Sequence, residues 1–97
     1  MKHKYHHVAG QELCDAAVWY EQQREGLGGE FLDDVDVGIA AIIEHPDRWP
    51  EVEPGFRKYR LDRFPYGLIY RQLTADLIQT VAVMELHREP GYWHDRL

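Results

Sequence analysis

"AAVWYEQQREGLGGEFLDDVD", residues 16–36, carries the local signals of a helical hairpin. Before its glycines, apolar side chains recur at the spacing of one helix face, while polar side chains fill the opposite face. "GLGG", residues 26–29, then interrupts the pattern with three glycines, which are typical of a helix end and a tight turn. The stretch therefore predicts a first helix over residues 11–25, followed by a turn into a second helix.

The second helix is predicted to begin near Gly29 or Glu30 and to end at the His45-Pro46 pair, because proline cannot continue a helix. Acidic side chains in its first turns complement the helix dipole. Two antiparallel helices with apolar stripes need a further layer to cover those stripes. The stripe of the second helix comprises Phe31, Leu32, Val35, Ile39, Ile42 and Ile43.

Strand-like runs flank the hairpin on both sides. Residues 4–8 predict a short first strand. After a proline-rich loop over residues 46–55, three more runs occupy residues 56–61, 66–73 and 77–86, with short connections between them. Short connections between consecutive strands favour antiparallel pairing. The sequence therefore predicts an α+β fold of order β-α-α-β-β-β, in which the helix hairpin packs on a small, mainly antiparallel sheet.

The length and composition of the chain predict one folded domain, residues 1–97, with 44% hydrophobic and 29% charged residues. The longest apolar run, residues 37–43, is too short to cross a membrane, and residues 1–10 lack the apolar segment of a secretory signal. We therefore expect no membrane association and a cytoplasmic location. Cys14 is the one cysteine, and its place in the first helix predicts a small buried side chain without catalytic function.

Charge is distributed unevenly along this acidic chain, whose formal net charge is −6. Residues 1–55 hold twelve acids and four bases, whereas residues 56–97 hold seven bases and five acids. Five of the eleven Lys and Arg lie within "RKYRLDRFPYGLIYR", residues 57–71, where Asp62 is the only acid. The basic stretch indicates an anionic partner, although solvated charges that protect a sheet edge would produce the same pattern.

Three spaced motifs, in this order, resemble the RelE/ParE superfamily of bacterial toxins, especially the ParE-like branch of plasmid stabilisation proteins. The motifs are the hairpin "WYEQQREGLGGEF", the strand turn "DRFPYGLIY" and the terminal "HREPGYW". The resemblance extends from about Val8 to Trp93. It implies the fold predicted above and a toxin whose growth inhibition is neutralised by a cognate antitoxin protein. Within the superfamily, RelE-like toxins cut messenger RNA on the ribosome, whereas ParE-like toxins inhibit DNA gyrase without bond-breaking chemistry.

Basic residues of the stretch are the candidates for binding a target or its phosphates. Strand alternation puts Lys58 and Arg60 on one face, and by resemblance they occupy the positions where RNA-cutting relatives keep paired basic residues. Those relatives place an arginine where this chain has Gly67, so Arg63 or Arg71 would have to replace that contact. Alternatively, Arg63 has a structural role in the "RFPY" turn and does not bind phosphate.

The terminal motif supplies candidate residues for proton transfer and phosphate binding. His87 could carry a proton, Arg88 could bind phosphate, and Tyr92 could stack on a base or share a proton. His87 and Tyr92 would be catalytic only if the protein is a ribonuclease. Alternatively, Tyr92 and Trp93 close the small core by packing over the sheet.

The aromatic side chains of the first helix are candidates for antitoxin contact. Trp19 and Tyr20 are among the many large aromatic side chains of this chain, and a domain of this size cannot bury all of them. An amphipathic antitoxin segment is therefore expected to cover part of the exposed aromatic surface. His3, His6 and His7 do not predict a metal site, because strand alternation separates His6 from His7 and no Cys or Asp joins them. We expect no metal and no other cofactor.

The choice of target depends on two features of the sequence. Gly67 removes one phosphate contact of the RNA-cutting relatives, and a net charge of −6 is unfavourable for a protein that approaches ribosomal RNA. Inhibition of DNA gyrase is therefore the first hypothesis. The alternatives are a RelE-like mRNA interferase, which would be an endoribonuclease, and a degenerate member that binds its antitoxin without being toxic.

Overall fold

The computed structural model describes all residues, 1–97, and confirms the predicted α+β class with a helix hairpin packed on one sheet. Each predicted helix and strand is present, with shifts at the ends. The elements are β1 Lys2–Tyr5, α1 His7–Gln23, α2 Leu27–Glu44, β2 Glu51–Glu53, β3 Phe56–Arg60, β4 Tyr66–Thr74, β5 Leu77–Glu85 and a terminal 3₁₀ turn His94–Arg96.

The five strands form one mixed sheet in the order β1-β5-β4-β3-β2. Strands β3, β4 and β5 form the predicted antiparallel meander, in which Lys58 pairs with Ile69 and Arg60 with Gly67. Strand β1 runs parallel to β5, and Lys2 pairs with Leu77. The parallel pairing follows from the hairpin, because the chain crosses over the sheet through α1 and α2 before it returns.

The first strand was predicted too late in the chain. It ends at Tyr5, because the Nδ1 atom of His6 accepts a hydrogen bond of 3.1 Å from the Val8 backbone N–H and so caps helix α1. An N-cap acceptor satisfies one of the free amides at a helix start. His7 and Val8 therefore lie in the first turn of α1 and not in a strand.

The loop predicted over residues 46–55 was only partly correct, because it contains the short edge strand β2, which the predicted element order omitted. Proline lacks the amide that a strand interior needs, but Pro50 and Pro54 flank the strand and leave its own amides available for pairing. Gly55 adopts φ 85°, which permits the turn into β3, and its N–H donates to Glu51 Oε2 at 2.7 Å.

The helix connection is tighter than predicted, because α2 begins at Leu27 instead of residue 29 or 30. The Glu21 carboxylate accepts hydrogen bonds from the N–H groups of Gly26 and Gly28, at 2.9 and 3.0 Å, and thereby caps α2. Gly28 also permits close packing of the helices, since a Cβ at this position would lie 2.5 Å from the Ala17 carbonyl oxygen.

The main core lies between the hairpin and the sheet. It is built from the predicted stripes of α1 and α2 together with alternate side chains of the strands, and its fully buried members include Phe31, Ile42, Leu68 and Ile78. Two predictions of burial were wrong, because Leu32 is 38% exposed and Cys14 is also exposed. Both side chains lie on the outer margin of their helix, where the partner layer does not reach.

We call the face of the sheet that points away from the helices the open face. Part of it is covered by a second, smaller apolar cluster. The C-terminal tail, residues 87–97, crosses this face and inserts Trp93, which is 2% exposed, among Ile69, Val81, Ala82 and Met84. No helix in the fold is both long and apolar enough to cross a membrane.

Candidate functional site

The open face presents Lys58 and Arg60 side by side along strand β3. They alternate with Tyr59 and Leu61, which point into the core beneath the helices. Neither cation has an acidic partner, although Arg24, Arg57, Arg63, Arg88 and Arg96 are all paired with carboxylates. Lys58 and Arg60 therefore give this face of an otherwise acidic protein two neighbouring positive charges without an internal ion pair.

Gly67 determines how Lys58 lies on the open face. The Lys58 side chain crosses the glycine, and a Cβ at position 67 would lie 3.0 Å from Lys58 Cε and 3.4 Å from Lys58 Cγ. A larger residue would displace the lysine stem or Leu86, which is 3.4 Å away on the other side. Gly67, which stands where the RNA-cutting relatives have an arginine, thus makes room for the Lys58 side chain.

Arg63 and Arg71, the other two basic candidates within residues 57–71, lie in different surroundings. Arg63 turns towards the hairpin, where its Nη2 atom donates to Glu30 Oε1 at 2.6 Å and its backbone N–H donates to Asp34 Oδ2 at 3.0 Å. Arg71 shares the open face, because it follows Ile69 by two residues on β4. Its Nε atom donates to Gln79 at 3.0 Å, and its guanidinium lies 5.6 Å from the Phe56 ring centre.

A buried carboxylate organises the C-terminal tail. Glu12 of α1 accepts hydrogen bonds from Arg96 Nη1 and Nη2 at 2.7 and 2.9 Å, from the Tyr92 hydroxyl at 2.6 Å and from the Val83 N–H at 3.0 Å. Burial disfavours the charged form of Glu12, but these hydrogen bonds outweigh it and hold the pKa of this carboxyl below its usual value. Glu12 therefore remains ionised and joins α1, β5 and the tail.

Tyr92 and Arg88 form part of the same cluster, whereas His87 does not. The Arg88 guanidinium lies 3.9 Å from the centre of the Tyr92 ring, a cation–π contact. Burial, and then the hydrogen bond to Glu12, raises the pKa of Tyr92 well above its ordinary value. His87 has an 88% exposed side chain and contacts Glu85 through its Nδ1 atom at 2.6 Å. The structure thus brings Arg88 and Tyr92 together and leaves His87 apart.

The candidate cations line separate cavities. Lys58 lines a cavity beneath the tail, whereas Arg88 and Tyr92 line a groove of about 300 Å³ between α1 and the end of β5. Trp19 lines this groove and is 55% exposed. Tyr20 instead packs in the aromatic part of the core, with ring centres 5.2 Å from Phe31 and 4.8 Å from Phe64.

Comparison with known proteins finds similarity among solved structures. No protein-family model matches the chain, and no curated protein sequence matches it. Among solved structures, a chain of the chromosomal ParDE TA system from P. aeruginosa superposes with a TM-score of 0.76 at 18% sequence identity, covering 90% of this chain and 97% of that chain. This chain has a RelE/ParE-like fold. The structural similarity supports the resemblance that the three sequence motifs indicated.

The three N-terminal histidines, His3, His6 and His7, have individual structural partners. The Nε2 atom of His3 lies 2.8 Å from Thr80 Oγ1, and burial lowers the pKa of His3. His6 caps α1, and its ring stacks on that of His7 with centres 4.7 Å apart. No group of three or more His, Cys, Asp or Glu side chains is arranged to hold a metal ion.

Sequence reasoning missed Glu12 and Arg96 as residues of the candidate site. Glu12 was assigned to the polar face of α1, but it lies four residues before buried Ala16 and three after buried Ala9. This spacing places Glu12 at the margin of the buried stripe, which is the one signal that could have identified it. Arg96 had no comparable signal, because its partners lie 15 and 84 residues away in the chain.

Proposed function

We propose that this chain is the toxin of a type II toxin–antitoxin system, acting as one domain over residues 1–97 in the cytoplasm. The observation that carries the proposal is the similarity, over 90% of the chain, to a chain of a ParDE TA system. The ordered motifs of the hairpin, strand turn and tail support the same reading. The proposed partner is a cognate antitoxin that holds the toxin inactive.

The proposed mode of action is inhibition of DNA gyrase without bond-breaking chemistry. RNA cleavage by attack of a 2′-hydroxyl needs a proton acceptor and a proton donor beside cations that hold the phosphate. In this chain the Tyr92 hydroxyl already donates to Glu12, and its raised pKa opposes proton loss near neutrality. His87 extends into solvent and lines neither the cavity of Lys58 nor that of Tyr92. These features favour a binding surface over a catalytic one.

The proposed target-binding surface is the open face around Lys58 and Arg60. Their charges have no acidic partner within the chain, so they are available to an anionic surface without first breaking an internal ion pair. Arg71 adds a third cation on the same face, although Gln79 already accepts one of its hydrogen bonds. Electrostatic complementarity of this kind accelerates and orients association with an acidic partner.

The proposed antitoxin contact centres on Trp19. This side chain is 55% exposed beside Val18, which is 57% exposed, and it lines the groove between α1 and the tail. An amphipathic antitoxin segment would remove this apolar surface from water. Tyr20 contributes mainly through its packing with Phe31 and Phe64, which supports the position of its neighbour Trp19.

Induced expression of the chain, alone and with the protein encoded beside it, tests the proposal. We expect growth arrest that the neighbouring protein relieves, filamentous cells, and inhibited supercoiling by purified gyrase. Mapped ribosome-dependent cuts in messenger RNA with normal supercoiling would instead identify an mRNA interferase. Binding of the neighbouring protein without any growth effect would identify a degenerate member. Absence of both growth arrest and binding at micromolar concentration would refute the toxin–antitoxin assignment.

A further inference from the structure

A partly enclosed cavity of about 300 Å³ lies between the open face, strand β2 and the C-terminal tail. Its apolar lining includes Ile69 and Met84 of the sheet and Trp93 of the tail, which are 1%, 5% and 2% exposed. Cavities of this size lie at the lower end of the range, roughly 300–1,000 Å³, in which proteins bind small molecules. The cavity therefore suits a compact ligand with an apolar body.

The tail side of the cavity is held in place by three independent features. Gly91 adopts φ 79°, and a Cβ there would lie 2.5 Å from His94 Cε1, so the tight turn requires glycine. The Nε2 atom of His94 lies 2.6 Å from Glu53 Oε2, which ties the tail to β2. Trp93 packs against Phe56 with ring centres 4.9 Å apart. A ligand would enter a preformed site and would not have to order the tail.

Two charged side chains line the cavity, and only one of them has a partner within the chain. Glu53 is its one acid, and His94 already contacts that carboxylate. Lys58 is its one cation and is half-buried, and its ammonium group makes no hydrogen bond or ion pair. An apolar site with a single unpaired ammonium group complements a ligand that carries one negative charge, because a charge-assisted hydrogen bond would satisfy both groups.

We propose that this cavity binds a small apolar monocarboxylate. The apolar body packs mainly against Val52, which is 49% exposed, above a floor of nearly buried side chains that includes Ile69 and Met84. The carboxylate accepts a hydrogen bond from Lys58 Nζ. An amine of the same shape would meet the Lys58 charge unfavourably and would have to compete with His94 for the Glu53 carboxylate. A neutral analogue would leave the ammonium group without a partner. The site is separate from the groove of Trp19 and Tyr92, with which it shares no lining residue.

Titration of the full chain with hexanoate, followed through isotope-labelled methyl groups of Met84 and Ile69, tests this site. We expect saturable shifts of both methyl signals with hexanoate and none with hexylamine. Lys58→Met keeps the stem but removes the charge, and we expect it to weaken hexanoate binding about tenfold, which corresponds to about 1.4 kcal/mol. Lys58→Arg should retain most of the affinity. Arg60→Met is the matched control, because Arg60 is on the same strand but does not line the cavity, and it should bind like the wild type.

Three outcomes would overturn the proposal: no saturable shift at millimolar hexanoate, equal binding of hexylamine, or equal losses in the Lys58→Met and Arg60→Met variants. The first two comparisons use the unmodified chain, so the test remains decisive if a variant fails to fold. Because the assay measures binding by the isolated chain, its result is independent of whether the chain is toxic.

Discussion

Replacement of Glu12 by glutamine should strongly destabilise the domain. The change preserves the shape of the side chain but removes the charge that two guanidinium nitrogens of Arg96 contact at 2.7 and 2.9 Å. The side chains of Arg96 and Glu12 are only 10% and 19% exposed, so water can only partly replace the lost partner. Breaking a buried ion pair from one side costs about 3–5 kcal/mol, and we take about 3 kcal/mol because this pair retains some exposure.

The corresponding fall in Tm is roughly 12–24 °C, since 1 kcal/mol shifts the Tm of a domain of this size by about 4–8 °C. Thermal unfolding followed by circular dichroism measures it. Glu51→Gln is the matched control, because Glu51 pairs with Arg57 at 3.8 Å and is 47% exposed. An exposed pair contributes about 0–1 kcal/mol, so this control should lose far less.

The pH dependence of the same variant provides a second readout. The pKa of Glu12 is lower in the folded chain than its ordinary value of 4.5, so its stabilising contribution is complete above that value. It is lost as the pH falls through the lowered folded-state pKa. The gap in Tm between wild type and Glu12→Gln should therefore be largest near neutral pH and should shrink in strong acid.

A double variant separates the ion pair from simple loss of packing. In Glu12→Gln/Arg96→Met, no guanidinium is left without its partner, so part of the lost stability should return. Two results would refute this account of Glu12: a Tm for Glu12→Gln that matches the Glu51→Gln control, or a double variant no more stable than the single one.

Two further predictions concern the open face and the helix packing. Charge reversal at Lys58 and Arg60 together should abolish growth arrest, yet change the free energy of unfolding by only about 0.5 kcal/mol per site. Growth arrest by a folded double variant at wild-type expression would exclude the open face as the target-binding surface. Gly38→Ala should destabilise the domain by about 1–3 kcal/mol in urea unfolding, because its Cβ would lie 2.7 Å from Tyr59 Cε1. Gly29→Ala has open space around its Cβ and should stabilise α2 by about 0.5–1 kcal/mol, so an equal response of the two glycines would contradict the packing argument.

The sequence alone determined the helix hairpin, the antiparallel meander and the α+β class. These features depend on local properties: the helical spacing of apolar residues, the alternation within strands, and the glycines and prolines that end each element. Even the position of Lys58 and Arg60 on the same sheet face follows from strand alternation, because side chains two residues apart share a face. Errors at the local level concerned the element ends, the burial of Leu32 and Cys14, and strand β2, whose flanking prolines resembled those of a loop.

Tertiary structure alone decided which distant residues meet. The parallel pairing of β1 with β5 joins Lys2 to Leu77, and the Glu12 cluster joins α1 to Tyr92 and Arg96, which lie 80 and 84 residues further along the chain. No local pattern encodes such pairs, because they form only when several layers pack at particular distances and angles. For the same reason, the course of the tail across the sheet separates Arg88 and Tyr92 from Lys58, although the sequence had made both Lys58 and Arg88 candidates for phosphate binding.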